Sequence, residues 1–468
     1  MNPFDAASPF DARYYFADPG FFARLHPYVA ESAQVRYLAR VEAALAETLA
    51  DLGVCPPTAA AEIASACALV TPEEVYAEEA RIQHNIRALV NCICKHVSPV
   101  ARPFVHLFAT SADIMDTARA LCLVEATRNV LLPDLVELGR KLIRMARAHA
   151  DTPQMGRTHG QHAVPMTFGF AVALYVSRVG QRAEVIASAA RNLRGKFAGA
   201  VGAYNALALL SDDPAGVEAA LMSKLGLQPP EISTQVTQPE YVADFVYAMT
   251  SCWGVFANLA DDFRHLQRSE LRELRDRKAA DPNTPVVGSS TMPHKVNPKD
   301  FENVKSLWKA YMPRLLTVLM DQISEHQRDL TNSASMRFVT EFVAAFAYGI
   351  HRLSATLDAV EPDVARMREI LQAGKDPVTA EPLYVLLAMH GHPDAHEAER
   401  VVARAARQQG RPLAQLLRES KEIAEYLRKM TPEQLAILDD PAQYLGAAAQ
   451  RTRAICDDWE GKIQRVYV

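Results

Sequence analysis

Gly288-Ser289-Ser290-Thr291-Met292-Pro293-His294-Lys295-Val296-Asn297-Pro298 follows neither the 3.6-residue period of a helix nor the alternation of a strand. A glycine and two prolines punctuate it, so it reads as a loop. Three hydroxyls, a histidine, a lysine and an asparagine crowd into it, and long helix-like segments lie on both sides. A loop of this chemistry, fixed between rigid helices, is a candidate for anion handling and proton transfer. Taken alone it is equally an ordinary polar connection, and the rest of the chain has to decide.

The chain has 468 residues, 49% hydrophobic and 22% charged, enough for about three domains with large cores. A net charge of −5 argues against a general nucleic-acid binder, so an anionic ligand must be met by local basic groups. The seven cysteines are scattered, with Cys92 and Cys94 the one close pair. That argues against a disulfide framework and a zinc site of ordinary spacing, and a reducing cytosol is expected. The first fifteen residues carry no basic-then-apolar leader, and the uncharged run Phe342 to Ile350 is too short to span a bilayer. A soluble, cytoplasmic protein with no membrane partner is expected.

Outward from the loop, nearly every segment reads as helix. Val35, Leu38, Val41, Leu45, Leu49 and Leu52 keep helical spacing up to Gly53. Thr71-Pro72-Glu73-Glu74 is a capping box whose helix is expected to run past His84, a residue more often structural than catalytic. Phe104 to Asp113 is irregular, and Ser111 or Asp113 would cap the helix that follows. A helix N-terminus there could meet a phosphate or carboxylate, or could simply be capped. Ile114 to Ala150 reads as one very long amphipathic helix, with a kink or break at Pro133. Gly156 to Pro165 places His159 and His162 around a Gly-Gln between two helices. It lacks a carboxylate or cysteine partner for a metal, which leaves an acid/base role or a structural turn.

Helices are expected over about 166–193, 240–275, 300–324 and 338–357, with polar connectors at 232–239 and 326–337. The charged end Arg268 to Lys278 is expected to be a solvated face, as are His392 and His396. Thr431-Pro432-Glu433-Gln434 is another capped start. No strand pattern stands out. The fold class is all-α, with a short-helix block at 1–110, long helices at 111–363 and a short-helix block at 364–468. Helices of about thirty residues are roughly 45 Å long and usually bundle, often between subunits.

Gly288 to Pro298 resembles the signature loop of the fumarase/aspartase superfamily of lyases, most closely in the form carried by its adenylosuccinate lyases, where His precedes the Lys. Ser8 to Tyr14, Val105 to Thr117, Arg157 to Gly169, Ser233-Thr234-Gln235, Glu302-Asn303 and Gln327 to Arg337 resemble further motifs of that family in kind and order. The resemblance covers nearly the whole chain. It implies three helical domains, a twenty-helix core in a homotetramer, and active sites built from loops of three subunits. No cofactor or metal is implied.

The implied reaction is β-elimination of fumarate from adenylosuccinate, giving AMP, and from SAICAR, giving AICAR, in purine biosynthesis. By the resemblance Ser289 is the base, with Ser290 the competing choice, and His159 is the acid, with His162 the competing choice. Lys295 and Asn297 would stabilise developing charge, and Glu302 would hydrogen-bond His159. His84 and His106 would bind substrate or assist the acid. Thr110, Ser111, Thr158 and Gln235 would bind the succinyl part, with Ser290 and Met292 of the loop beside them. Arg13, Tyr14, Arg328, Ser333 and Arg337 would cradle the phosphate, arginine forks suiting its oxygens.

Gln83 and Asn85 stand where the family often has a basic residue and Asp, which weakens the reading of His84. Ala12 stands where Gly is common. The runner-up readings are a carboxymuconate cycloisomerase-type or argininosuccinate lyase-type enzyme, against which Arg13, Tyr14 and Arg328 to Arg337 favour a phosphorylated substrate. An idle structural member or a helical scaffold would need neither Ser289 nor His159.

Overall fold

The computed structural model describes residues 6–277, 290–292 and 295–463. Its centre is a bundle of long helices: α1 (Ser111–Ala126), α2 (Leu132–Ala148), α3 (Phe168–Arg191), α4 (Glu240–Leu266), α5 (Lys299–Tyr311), α6 (Phe338–Ala359) and α7 (Ala448–Ile463). The expected single helix around Pro133 is present as α1 and α2 joined by a π-helical turn, Thr127–Leu131. Pro133 falls in the first turn of α2, where its missing N–H is least costly, and the wider turn absorbs the mismatch.

Trp253 is the hub of the core. It stacks on Tyr311 and meets Phe342 and Phe346 edge-on, all within one buried apolar cluster. That cluster also takes in Phe10, Phe21 and Phe22, the apolar face of Glu31–Asp51, and Cys456, Trp459 and Ile463 of α7. A separate cluster, from Leu383 to Leu438, holds the short C-terminal helices together. The close approach of α7 to α3 requires Gly180, because a Cβ there would come within 2.4 Å of the Trp459 ring. Gly180→Ala is therefore expected to cost about 1–3 kcal/mol by overpacking, read as a lower urea midpoint with the m-value unchanged.

The chain departs from expectation in several places. The helix expected to run past His84 ends at Ile82, where Gln83 turns left-handed (φ 59°), and His84 starts the next helix, Asn85–Lys95. Residues 153–167 form a hairpin of β1 (Pro153–Thr158) and β2 (Gln161–Thr167), with a bulge between Met155 and Arg157. The helix expected to reach residue 275 stops at Leu266. The chain turns through Arg272 (φ 52°) into β3 (Leu274–Asp276), which pairs antiparallel with β4 (Val360–Pro362). Glu273, assigned to a solvated face, is fully buried. The helix expected over 300–324 breaks before Pro313 into α5 and a short helix, Arg314–Met320. His392 is buried against Tyr426, while His396 lies in the helix Ala395–Gln409, which Asp394 caps.

Candidate functional site

The hairpin presents His159. Thr158 pairs with Gln161, so His159-Gly160 is a two-residue connection, and both residues have positive φ (53° and 74°). That is the geometry of a type I′ turn, which glycine accepts freely and histidine tolerates. His159 and Thr158 are exposed at the tip. The base is fixed from below. Arg157 makes a two-pronged ion pair with Glu273 at 2.7 and 3.1 Å, and Gln154 donates to the same carboxylate at 2.8 Å. A Cβ on Gly156 would fall 2.4 Å from the Val164 carbonyl oxygen, so the bulge needs glycine. His162 packs where a side chain on Gly374 would otherwise sit, in keeping with a structural part for that ring.

At the N-terminus of α1 the cap is Thr110, not Ser111 or Asp113 as expected. Asp113, fully buried, accepts the Thr110 N–H at 2.8 Å on one oxygen. Its other oxygen takes the ammonium of Lys196 and the N–H groups of Ala198 and Gly199. Lys196 is likewise fully buried, and its backbone is held by Thr117. One turn on, Asp116 accepts Thr237 N–H at 2.9 Å, which ties the 232–239 connector to the same helix. Glu218 receives Phe197 N–H and the Tyr204 hydroxyl, both at 2.6 Å, and burial lifts its carboxyl above the ordinary range.

His106 stands just before this helix with φ 60°, and its Nδ1 lies 2.6 Å from Oε1 of buried Glu42. Burial opposes a charged ring, but the bond to Glu42 and the fields of Glu42 and Asp113 raise its pKa above the usual histidine value. His84 is exposed and caps Asn85–Lys95 by accepting Arg87 N–H at 3.1 Å. Gln235 N–H donates to the Gln327 carbonyl at 3.3 Å, so the connector meets the 326–337 segment. There Arg328 donates to Asn332 at 2.7 Å, and Ser333 and Arg337 are exposed. Arg13 is exposed beside Tyr14, whose ring packs on Phe10 and Tyr348.

Of the signature loop, Ser289 lies outside the described residues. Ser290, Met292 and Lys295 are exposed, and Asn297 is half-buried ahead of α5. Glu302, in the first turn of α5, has Arg264 at 4.0 Å, and within one chain it makes no hydrogen bond to His159. The hairpin precedes α3 and the Asp113–Lys196 cluster follows it. With 24 residues, α3 separates them by about 36 Å. One chain thus holds His106, Thr110, Ser111, Gln235 and Gln327 towards one end of the bundle and His159 at the other.

The model of a family described as Lyase matches residues 21–309, and the model described as Adenylosuccinate lyase C-terminal matches 324–436. An adenylosuccinate lyase of Pyrococcus abyssi is 34% identical over 426 residues, covering 90% of this chain and 92% of that one. The chain belongs to the adenylosuccinate lyase family, within the fumarase/aspartase superfamily. Two solved structures share the family's all-α fold at TM-score 0.81 and 26% identity. They are a fumarate lyase from Mesorhizobium sp. BNC1 (93% of this chain, 97% of that one) and a 3-carboxy-cis,cis-muconate lactonizing enzyme from Pseudomonas putida (96% and 100%).

Sequence reasoning missed Glu42, Lys196 and Glu273, three buried charges that hold these loops in place. Glu42 had a legible signal. It sits between Leu38, Val41 and Leu45 on the apolar stripe of its helix, where a carboxylate needs a partner. Lys196 and Glu273 meet partners 83 and 116 residues away, and nothing local marks them.

Proposed function

We propose that the chain cleaves adenylosuccinate to AMP and fumarate, and SAICAR to AICAR and fumarate, as a cytoplasmic enzyme of purine biosynthesis. The observation that carries this reading is the match to adenylosuccinate lyases over nine-tenths of the chain. In this reading Ser289 removes the proton beside a succinyl carboxylate. A free hydroxyl is a weak base, so Lys295 and neighbouring backbone dipoles must favour its alkoxide. Charge then builds on the carboxylate, where Lys295 and Asn297 stabilise it, each fixed donor supplying about 3 kcal/mol. His159 protonates the departing N6 nitrogen. Thr110, Ser111, Thr158 and Gln235 hold the succinyl part, and Arg13, Tyr14, Arg328, Ser333 and Arg337 the phosphate.

The working unit is a homotetramer with shared sites, and Glu302 orients His159 across subunits. Two features support shared sites: the length of α3, which sets His159 and the His106–Ser111 group at opposite ends of one chain, and the large exposed apolar side chains Phe170, Leu174, Tyr247, Leu316, Met320 and Ile323 on the bundle and beside it. The division at residues 110 and 363 forms part of the same reading. Purified protein is expected to lower the absorbance of the N6-substituted purine while fumarate appears in equal amount. A folded tetramer that releases no fumarate from adenylosuccinate would sink the assignment.

A further inference from the structure

Glu42 is the one charged residue among the buried side chains of the helix Glu31–Asp51. Its side chain is wholly buried, and a carboxylate so placed costs several kcal/mol unless it is paired. Among the described residues its hydrogen-bond partner is His106 Nδ1, at 2.6 Å, as short as charge-assisted bonds run. The second oxygen, Oε2, is buried with no partner. A feature this costly to the helix points to a use outside the helix.

The segment that carries the ring is itself strained. His106 and Phe108 both have left-handed backbone (φ 60° and 66°), which histidine tolerates but phenylalanine holds only under constraint, and such backbone clusters at functional sites. With Nδ1 committed to Glu42, Nε2 is the ring atom left for another partner, and about a fifth of the side chain is open to solvent. Four residues further along the chain is Thr110, the N-cap of α1.

We propose that Glu42 is a positioning residue of the reaction. It holds His106 as an oriented cation that binds an anionic oxygen of the substrate beside the N-terminus of α1. This rests on the lyase reading above and adds to it a residue that no motif of the sequence marks.

The charged groups around the ring come from three helices. Glu42 on Glu31–Asp51 and Asp113 on α1 favour the cation, while Arg87 on Asn85–Lys95 opposes it, as does burial. Cys67 and Cys94 feel the field of Glu42, and burial lifts both thiols, so they stay neutral. Removing the negative charge of Glu42 leaves burial and Arg87 against Asp113, and the ring loses its proton at lower pH.

The test compares Glu42→Gln with wild type from about pH 6 to pH 9. Glutamine keeps the shape and the acceptor for Nδ1–H and deletes the charge. KM for adenylosuccinate is expected to start rising at least about one pH unit lower in the variant, reaching about tenfold above wild type where the two rings differ in charge. The kcat at the acid end should stay within about threefold. His106→Gln should give a raised KM that is flat through the same window. A Glu42→Gln profile that overlays wild type overturns the proposal, and so does a His106→Gln KM equal to wild type, which decides the matter should Glu42→Gln not fold.

Titration of 13C-labelled histidine without substrate reads the His106 charge directly. A failure to turn over adenylosuccinate is thereby distinguished from a failure of the Glu42 assignment. An unchanged His106 titration in Glu42→Gln also overturns it. Inhibition by succinyladenosine, which lacks the phosphate, names the oxygen. A pH dependence that persists assigns a succinyl carboxylate, and one that vanishes assigns the phosphate.

Discussion

His159→Asn is expected to lower kcat by about 10²–10⁴-fold, the usual contribution of a positioned general acid, with KM for adenylosuccinate changed little. Asparagine is the informative replacement because of the hairpin. His159 occupies the first central position of the turn at φ 53°, a region that asparagine enters readily and alanine does not. Loss of activity in His159→Ala would mix chemistry with a strained turn, whereas His159→Asn keeps the turn and removes the proton donor. Because the proposed site takes His159 and Ser289 from different copies, the same variant also tests the assembly. Copies carrying His159→Asn, dissociated and reassembled with copies carrying Ser289→Ala, should recover activity at about one site in four, since half the copies supply each intact residue and a shared site needs both. Near-normal turnover of His159→Asn refutes its role as the acid. Two inactive parents that recover nothing on mixing refute the shared site.

What could be read from the sequence was local. The bundle helices follow from 3.6-residue spacing, and the starts at Pro72 and Pro432 follow from capping boxes that the structure contains. His159 could be singled out because two histidines crowd into a short Gly- and Pro-bounded segment between helices, whereas His106 is marked only by its segment's resemblance to a family motif. What could not be read depends on partners distant in the chain. Arg268 to Lys278 looks solvated because its charges alternate, yet Glu273 is drawn inside by Arg157, 116 residues away. Residues 153–167 carry two prolines and little alternation, and they become a hairpin because the Arg157–Glu273 pair and the bulge at Gly156 hold them. The long span expected after residue 300 failed at Pro313, a local breaker that was present to be read.

Lys196→Met is expected to destabilise the protein by about 3–5 kcal/mol, the cost of leaving a buried charge without its partner. The pair Lys196–Asp113 has no solvent exposure on either side, so neither water nor salt can take the place of the missing ammonium. Three backbone N–H groups would remain on Asp113, from Thr110, Ala198 and Gly199, and they orient the carboxylate without neutralising it. The double variant Lys196→Met/Asp113→Leu should recover part of the loss, because removing both charges also removes their desolvation. Recovery should be incomplete, since those N–H groups then lose their acceptor, at about 1–3 kcal/mol for each one left unsatisfied. An exposed pair such as Arg453–Asp151 is the control, and breaking it should cost less than about 1 kcal/mol. Urea unfolding followed by circular dichroism separates the cases, with a large midpoint shift at constant m for Lys196→Met and almost none for Arg453→Met. Equal shifts in the two single variants would mean that the buried pair carries no special weight. The N-terminus of α1, the 196–199 turn and the loop beyond it would then owe their placement to apolar packing alone.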